Sequence, residues 1–274
     1  MCTVILSLQP RDRFPLRLLG IRDELITRPW RPPARHWPGQ NLIGGIDELA
    51  GGTWLAVEPA AGRVACLLNG RGPLAPPEGR RSRGELPLRV AAEGPSVLQE
   101  LARDPAQLAA YDPFHLICAT ADSVTTLSHP GGRPPADKDA TAAREDPIPV
   151  VRELPPGPHM FTNAGHVYPA DPDWADPAAE PKAAHFADKF AAARPPADPA
   201  LPLAQAWGDW LTLAAGDGLD PADPAATLVR DEYPDGRMHG TTSITLIGLG
   251  PGGLRYDFQP TPGNTGTWYS VTVR

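Results

Sequence analysis

Cysteine is scarce in this chain of 274 residues, and an excess of positive charge is missing altogether. Cys2, Cys66 and Cys118 lie far apart, without the paired spacing of a zinc site, and their odd number leaves no closed disulfide framework. That pattern predicts a reducing, cytoplasmic setting. Acidic residues (32) outnumber lysine and arginine (25), giving a net charge of -7, the opposite of a nucleic-acid-binding footprint. The densest basic cluster, Arg80-Arg81-Ser82-Arg83, is too short to change this reading. No run of 18 apolar residues occurs, and no basic segment leads into an apolar stretch at the start. Neither a membrane span nor a secretory leader is expected. The seven histidines are dispersed, with no HExxH pattern, so no metal or resident cofactor is expected.

Proline (36) and glycine (27) are abundant instead. The prolines gather in 130–158 and 169–202, and with frequent alanine and arginine they read as a GC-rich bacterial coding bias that lengthens loops. Between them, strand patterns come in pairs. Cys2–Leu8 and Phe14–Ile21 flank a five-residue turn, Thr53–Glu58 and Arg63–Asn69 flank Pro59-Ala60-Ala61-Gly62, and Phe114–Ala121 and Val124–His129 flank Asp122-Ser123. Thr241–Leu249, Leu254–Gln259 and Thr267–Val273 read as a meander, with Met160–Asn163 a further strand. Helical periodicity marks Ser82–Ala92, Ser96–Leu101, Pro105–Tyr111, Lys182–Arg194 and Ala204–Ala214. Antiparallel hairpins in two groups with two helical layers predict an α+β fold, an αββα sandwich of two antiparallel sheets flanked by helices. No clean boundary divides the chain, which reads as a single domain over 1–274 with a Pro-rich loop near 130–150.

The candidate chemistry starts at Cys2, directly behind Met1 at the head of the apolar run Thr3-Val4-Ile5-Leu6. A small second side chain permits removal of Met1, which would put a thiol and an α-amine on one residue. That amine, with a reference pKa of about 8, can serve as the base for its own thiol. Arg22-Asp23-Glu24, expected at the end of the second strand, would emerge beside Cys2; the arginine favours thiolate and Asp23 can accept from the ammonium. Asn69-Gly70 and Asn163-Ala164-Gly165 each place an amide at a strand end, as oxyanion donors or as turn residues. Gly248-Leu249-Gly250-Pro251-Gly252-Gly253 matches a dinucleotide-binding pattern formally, but a strand pattern follows it, so it reads as a hairpin turn.

Several segments in one order carry a resemblance: Met1-Cys2-Thr3-Val4-Ile5, Gly20-Ile21-Arg22-Asp23-Glu24, Thr27-Arg28-Pro29, Trp37, Gly45-Ile46-Asp47, and Gly51-Gly52-Thr53-Trp54-Leu55. They continue through Gly62-Arg63, Leu68-Asn69, Ser82-Arg83-Gly84-Glu85-Leu86 and Phe161-Thr162-Asn163. This pattern resembles the NRDE family, whose animal members are called transport and Golgi organisation protein 2; Ile21 stands where the signature has asparagine. The family in turn looks like the N-terminal-nucleophile cysteine acylases, such as bile-salt hydrolase and penicillin V acylase. The resemblance implies an αββα fold and a hydrolase acting on a small acyl amide or acyl thioester. Cys2 would be its nucleophile, Arg22 would stabilise thiolate, Asp23 would orient the amine, and Asn69 and Asn163 would be oxyanion or amine-positioning groups. Arg237 is the nearest candidate for the late arginine of those acylases. The family also implies an alternative, a non-catalytic protein that binds or traffics haem or a lipid-like ligand in the same cleft.

Overall fold

In the computed structural model, residues 2–131, 148–169, 180–260 and 266–273 are described. Most of the Pro-rich segment expected near 130–150 lies outside them. In chain order the strands are β1 (Thr3–Leu8), β2 (Leu16–Leu25), β3 (Trp30–Ala34), β4 (Ile43–Asp47), β5 (Leu55–Glu58), β6 (Arg63–Asn69), β7 (Phe114–Ala119) and β8 (Val124–His129). They continue as β9 (Val150–Leu154), β10 (Gly157–Thr162), β11 (Gly165–Tyr168), β12 (Arg230–Glu232), β13 (Met238–Gly250), β14 (Gly253–Pro260) and β15 (Tyr269–Ser270). The helices are α1 (Glu85–Glu93), α2 (Ser96–Ala102), α3 (Pro105–Leu108), α4 (Pro181–Ala192), α5 (Leu203–Trp207) and α6 (Asp209–Ala214).

Two antiparallel sheets result. One has the order β11-β10-β1-β2-β13-β14-β15, with β12 paired to β13, and the other runs β3 to β9 in sequence. The residues of β1 explain the layering. Val4, Leu6 and Leu8 face a cluster shared with Leu55, Val57, Val64, Cys66 and Ile117 of the other sheet. Ile5, on the opposite face, joins Phe186, Phe190, Trp207 and Trp210 from the late helices. A strand with both faces covered reads as an unbroken apolar run, and each such side chain contributes about 1.5–3 kcal/mol on burial. A third cluster packs Leu86, Val90, Leu98 and Leu101 of the early helices on Ala65, Leu116 and Cys118. The three clusters fill the three spaces of a helix–sheet–sheet–helix stack.

β1 lies in the sheet interior, between β10 and β2. The second strand is longer than expected. It runs through Arg22-Asp23-Glu24 to Leu25 because β13 pairs along its whole length, from His239↔Leu25 to Leu249↔Leu16. The helix expected over Ala204–Ala214 is two short helices, since Gly208 sits at φ +48° between them. The glycine-rich Gly248–Gly253 is a hairpin turn: Gly250 pairs with Gly253, and β14 follows.

Candidate functional site

The sheet ends bring Cys2 at the entrance to β1, the C-terminal half of β2, the loop before β5 and the end of β6 to one place. They surround a cavity of about 490 Å³ whose lining includes Cys2, Arg22, Asp23, Trp54, Asn69 and Arg83. Val4 pairs with Gly20, and Thr3 with Ile21. Cys2 therefore arrives beside Arg22 by strand register.

Local sequence explains how the charges are held. Between Thr241 and Ser243 the β13 ladder slips by one residue against β2, and the extra residue re-aims side chains as bulges do. Thr242 Oγ1 accepts from Arg22 Nη1 at 2.9 Å and donates to the Arg22 carbonyl at 3.2 Å. Thr241 Oγ1 donates to Asp23 Oδ1 at 2.7 Å. Arg22, only 5% exposed, also reaches Asp47 Oδ2 at 3.4 Å and Glu24 at 3.7 Å. Its guanidinium lies over the Trp54 ring, 4.4 Å from the centroid. Arg28 meets the same Asp47 carboxylate through Nε at 2.5 Å and Nη2 at 3.1 Å. Those arginines and the Ala50 amide hold the Asp47 carboxyl below its usual range although burial works against them.

Cys2 is half-buried, and its Sγ lies 3.7 Å from the Asp23 carbonyl. Burial pushes its thiol up, the Asp23 charge pushes further, and Arg22 offsets only part of this. Arg22 acts on the thiol in the direction expected of it, toward thiolate, and burial outweighs it; the arginine is also ion-paired to Asp47 and Glu24. A thiol so placed requires a base to take its proton. Behind Cys2 a second, apolar crevice of about 20 Å³ runs between the sheets, lined by Val4, Gly20, Leu55 and Cys66 among others. It exists because Gly20 lacks a side chain; an added Cβ would come to 3.5 Å from Leu55 Cδ1.

Cys2, Arg22, Asp23 and Asn69 thus share one cavity, and Asn163 does not line it. Asn163 sits in the tight turn between β10 and β11. Phe161 pairs with Val4, so two further residues along each strand bring Asn163 and Cys2 to the same end of the sheet. The Asn163 Oδ1 atom is buried with no hydrogen-bond partner among the described residues. Arg237 is exposed, bound to Asp235 at 2.8 Å, and is not part of the lining. Sequence reasoning assigned no role to Arg28, Asp47, Trp54 or Arg83. Each lies in a segment that carries the family resemblance, which was the available signal.

The family model for Transport and Golgi organisation 2 matches residues 1–193. The chain belongs to this family. No curated protein matches the chain at a significant level. Among the described residues of this family member no helix is long and apolar enough to cross a membrane.

Proposed function

We propose that this protein is a cysteine N-terminal-nucleophile hydrolase acting on a small acyl amide or acyl thioester, with the fold of that superfamily. The observation that carries the reading is Cys2 in the lining of a charged cavity, its thiol held neutral by burial beside the position its own amine takes once Met1 is removed. The amine accepts the thiol proton and sulfur attacks the carbonyl carbon. The carbon–nitrogen or carbon–sulfur bond of the substrate breaks, and the leaving group takes the proton from the ammonium. Water then adds to the acyl-enzyme, giving its proton to the amine, and the acid departs with Cys2 regenerated.

Asp23, fixed by Thr241, orients the ammonium. Arg22, anchored on Thr242 and Trp54, stabilises negative charge at sulfur as it develops. Asn69, exposed at the cavity wall, is the oxyanion donor. Asn163 positions the amine, a role that suits a buried, unpartnered carbonyl oxygen better than a donor role does. The crevice of about 20 Å³ behind Cys2 admits little more than a methyl group, which favours a short acyl chain. The alternative, a haem or lipid-like carrier, is less well supported. No histidine or methionine lines the cavity among the described residues, leaving Cys2 as the one side chain there of a type that ligates haem iron.

The test compares hydrolysis of acetyl and butyryl thioesters and anilides by the wild-type protein and Cys2→Ala. Turnover by the wild-type protein and a loss of more than about 1000-fold in the variant, with an unchanged melting curve, is expected for removal of a nucleophile. Equal rates would end the nucleophile reading.

A further inference from the structure

Five arginines line the cavity: Arg22, Arg28, Arg80, Arg81 and Arg83. Four are committed to carboxylates. Arg22 and Arg28 share Asp47, Arg80 meets Asp112 at 3.4 Å, and Arg81 meets Glu85 at 2.7 Å. Arg83 differs. Among the described residues its guanidinium makes one hydrogen bond, from Nη1 to the Pro113 carbonyl at 2.7 Å, and no carboxylate lies within ion-pair distance. It is also half-buried, so it lacks full hydration. Asp112, Cys2 and Glu24 are near enough to influence it, yet burial still dominates and depresses its basicity.

The backbone that carries Arg83 is fixed. The Thr53 amide donates to the Gly84 carbonyl at 2.9 Å, and a Cβ on Gly52 would strike that same Gly84 backbone. Two glycine-sized positions therefore let the Ser82–Gly84 segment press against the loop before β5. The Gly84 amide also donates to Ser82 Oγ at 3.2 Å. A cation held this way presents its remaining N–H groups at little further entropic cost, and a guanidinium fork matches a planar or tetrahedral oxyanion.

We infer that Arg83 is the anchor for an anionic group, a carboxylate or phosphate, on the ligand of the Cys2 cavity, which makes the substrate an acidic acyl compound. This rests on the proposed Cys2 chemistry only for the word substrate; the anion site stands on the cavity alone. The arrangement leaves the ligand's acid at Arg83 while its carbonyl faces Cys2 and its short acyl end enters the crevice beside Gly20.

Iodoacetate and iodoacetamide test this, since both alkylate Cys2 by displacing iodide and they differ in charge. The readout is the ratio of their rate constants at Cys2, measured by peptide mass. A change in thiol basicity alters both rates alike and cancels in the ratio. Arg83→Ala is expected to lower the ratio about 10- to 100-fold, the usual worth of a hydrogen bond to a charged group. Arg83→Lys should retain most of it. Arg81→Ala, which removes one charge from the same rim at a paired residue, should change it less than about twofold. An unchanged ratio in Arg83→Ala, or an equal fall in Arg81→Ala, overturns the assignment. Should Arg83→Ala fold poorly, protection of wild-type Cys2 from iodoacetamide by succinate or by inorganic phosphate decides, and also tells carboxylate from phosphate. Protection by neither overturns the proposal. Loss of the ratio without any acyl turnover would leave the anion site standing and remove the hydrolase reading; turnover with an insensitive ratio would do the reverse.

Discussion

Cys2 and Cys66 line the same apolar crevice between the sheets, and they occupy opposite chemical worlds. Cys66 is 2% exposed, paired across the ladder with Leu55 and Ile117, and has only apolar neighbours in its cluster. Burial drives its thiol far up, and the neighbouring Cys118 pushes it further. Cys2 lies where the sheets part, half-buried, with Arg22, Asp23 and Arg83 lining the same cavity. Its thiol is also raised, but opposing charges act on it and the cavity admits a base and a reactant. A buried cysteine is by default a small hydrophobe; what changes its character is a position at the seam between apolar core and charged cavity.

Labelling breaks or sharpens that contrast most sharply. In native protein at pH 8, iodoacetamide should modify Cys2 at least about 100-fold faster than Cys66 or Cys118, whose thiol is pushed up to about 11. The reactive species is thiolate. Because burial and Asp23 raise the Cys2 thiol, its rate should keep climbing through pH 9 with no earlier plateau. Comparable labelling of Cys66 before denaturation would show that the core is open, and a plateau below pH 8 would show that the cations outweigh burial.

Arg22→Ala probes the seam next. It leaves Asp47 with Arg28 as its one arginine partner, removes the contact with Trp54 and takes the Nη1 donor from Thr242 Oγ1, which keeps its bond to the carbonyl of residue 22. A destabilisation of about 2 kcal/mol is expected in urea titrations, below the usual cost of breaking a buried pair because Arg28 still neutralises Asp47. The labelling rate of Cys2 should fall several-fold with it. A smaller effect is expected from Gly20→Ala, whose Cβ would make an ordinary contact with Leu55. Stability should change by less than about 1 kcal/mol, while the crevice loses its space and butyryl substrates slow relative to acetyl ones. Equal slowing of both would place the acyl group elsewhere.

The contrast also tells which parts of the molecule can be read from sequence. β1, β6 and β7 are legible because covered faces give mainly apolar runs bounded by turn residues, and β2, β8 and β13 because β-branched and aliphatic residues recur beside hairpin turns. β3 is hidden by Pro32 and Pro33, which its place at a sheet edge tolerates, with a register slip between Arg31 and Ala34. β4 is hidden by Gly44 and Gly45, which look like a loop but are needed there: a Cβ on Gly44 would strike the Leu55 carbonyl, and one on Gly45 the Trp54 ring. In the site, Cys2, Arg22, Asp23 and Asn69 are legible from the resemblance and from strand pairing. Asp47 and Arg83 lie in segments that carry the resemblance but show no chemistry there, because an acid ending a glycine-containing strand and an arginine in a short basic run acquire meaning only when residues from both sheets line one cavity.

Intact-mass spectrometry of the purified protein during reaction with an acetyl thioester tests the central claim most directly. The account predicts a chain that has lost Met1, gains a single acetyl group located on Cys2, and returns to its starting mass as the substrate is exhausted. A chain that keeps Met1, or one acetylated elsewhere while Cys2 stays free, would contradict it.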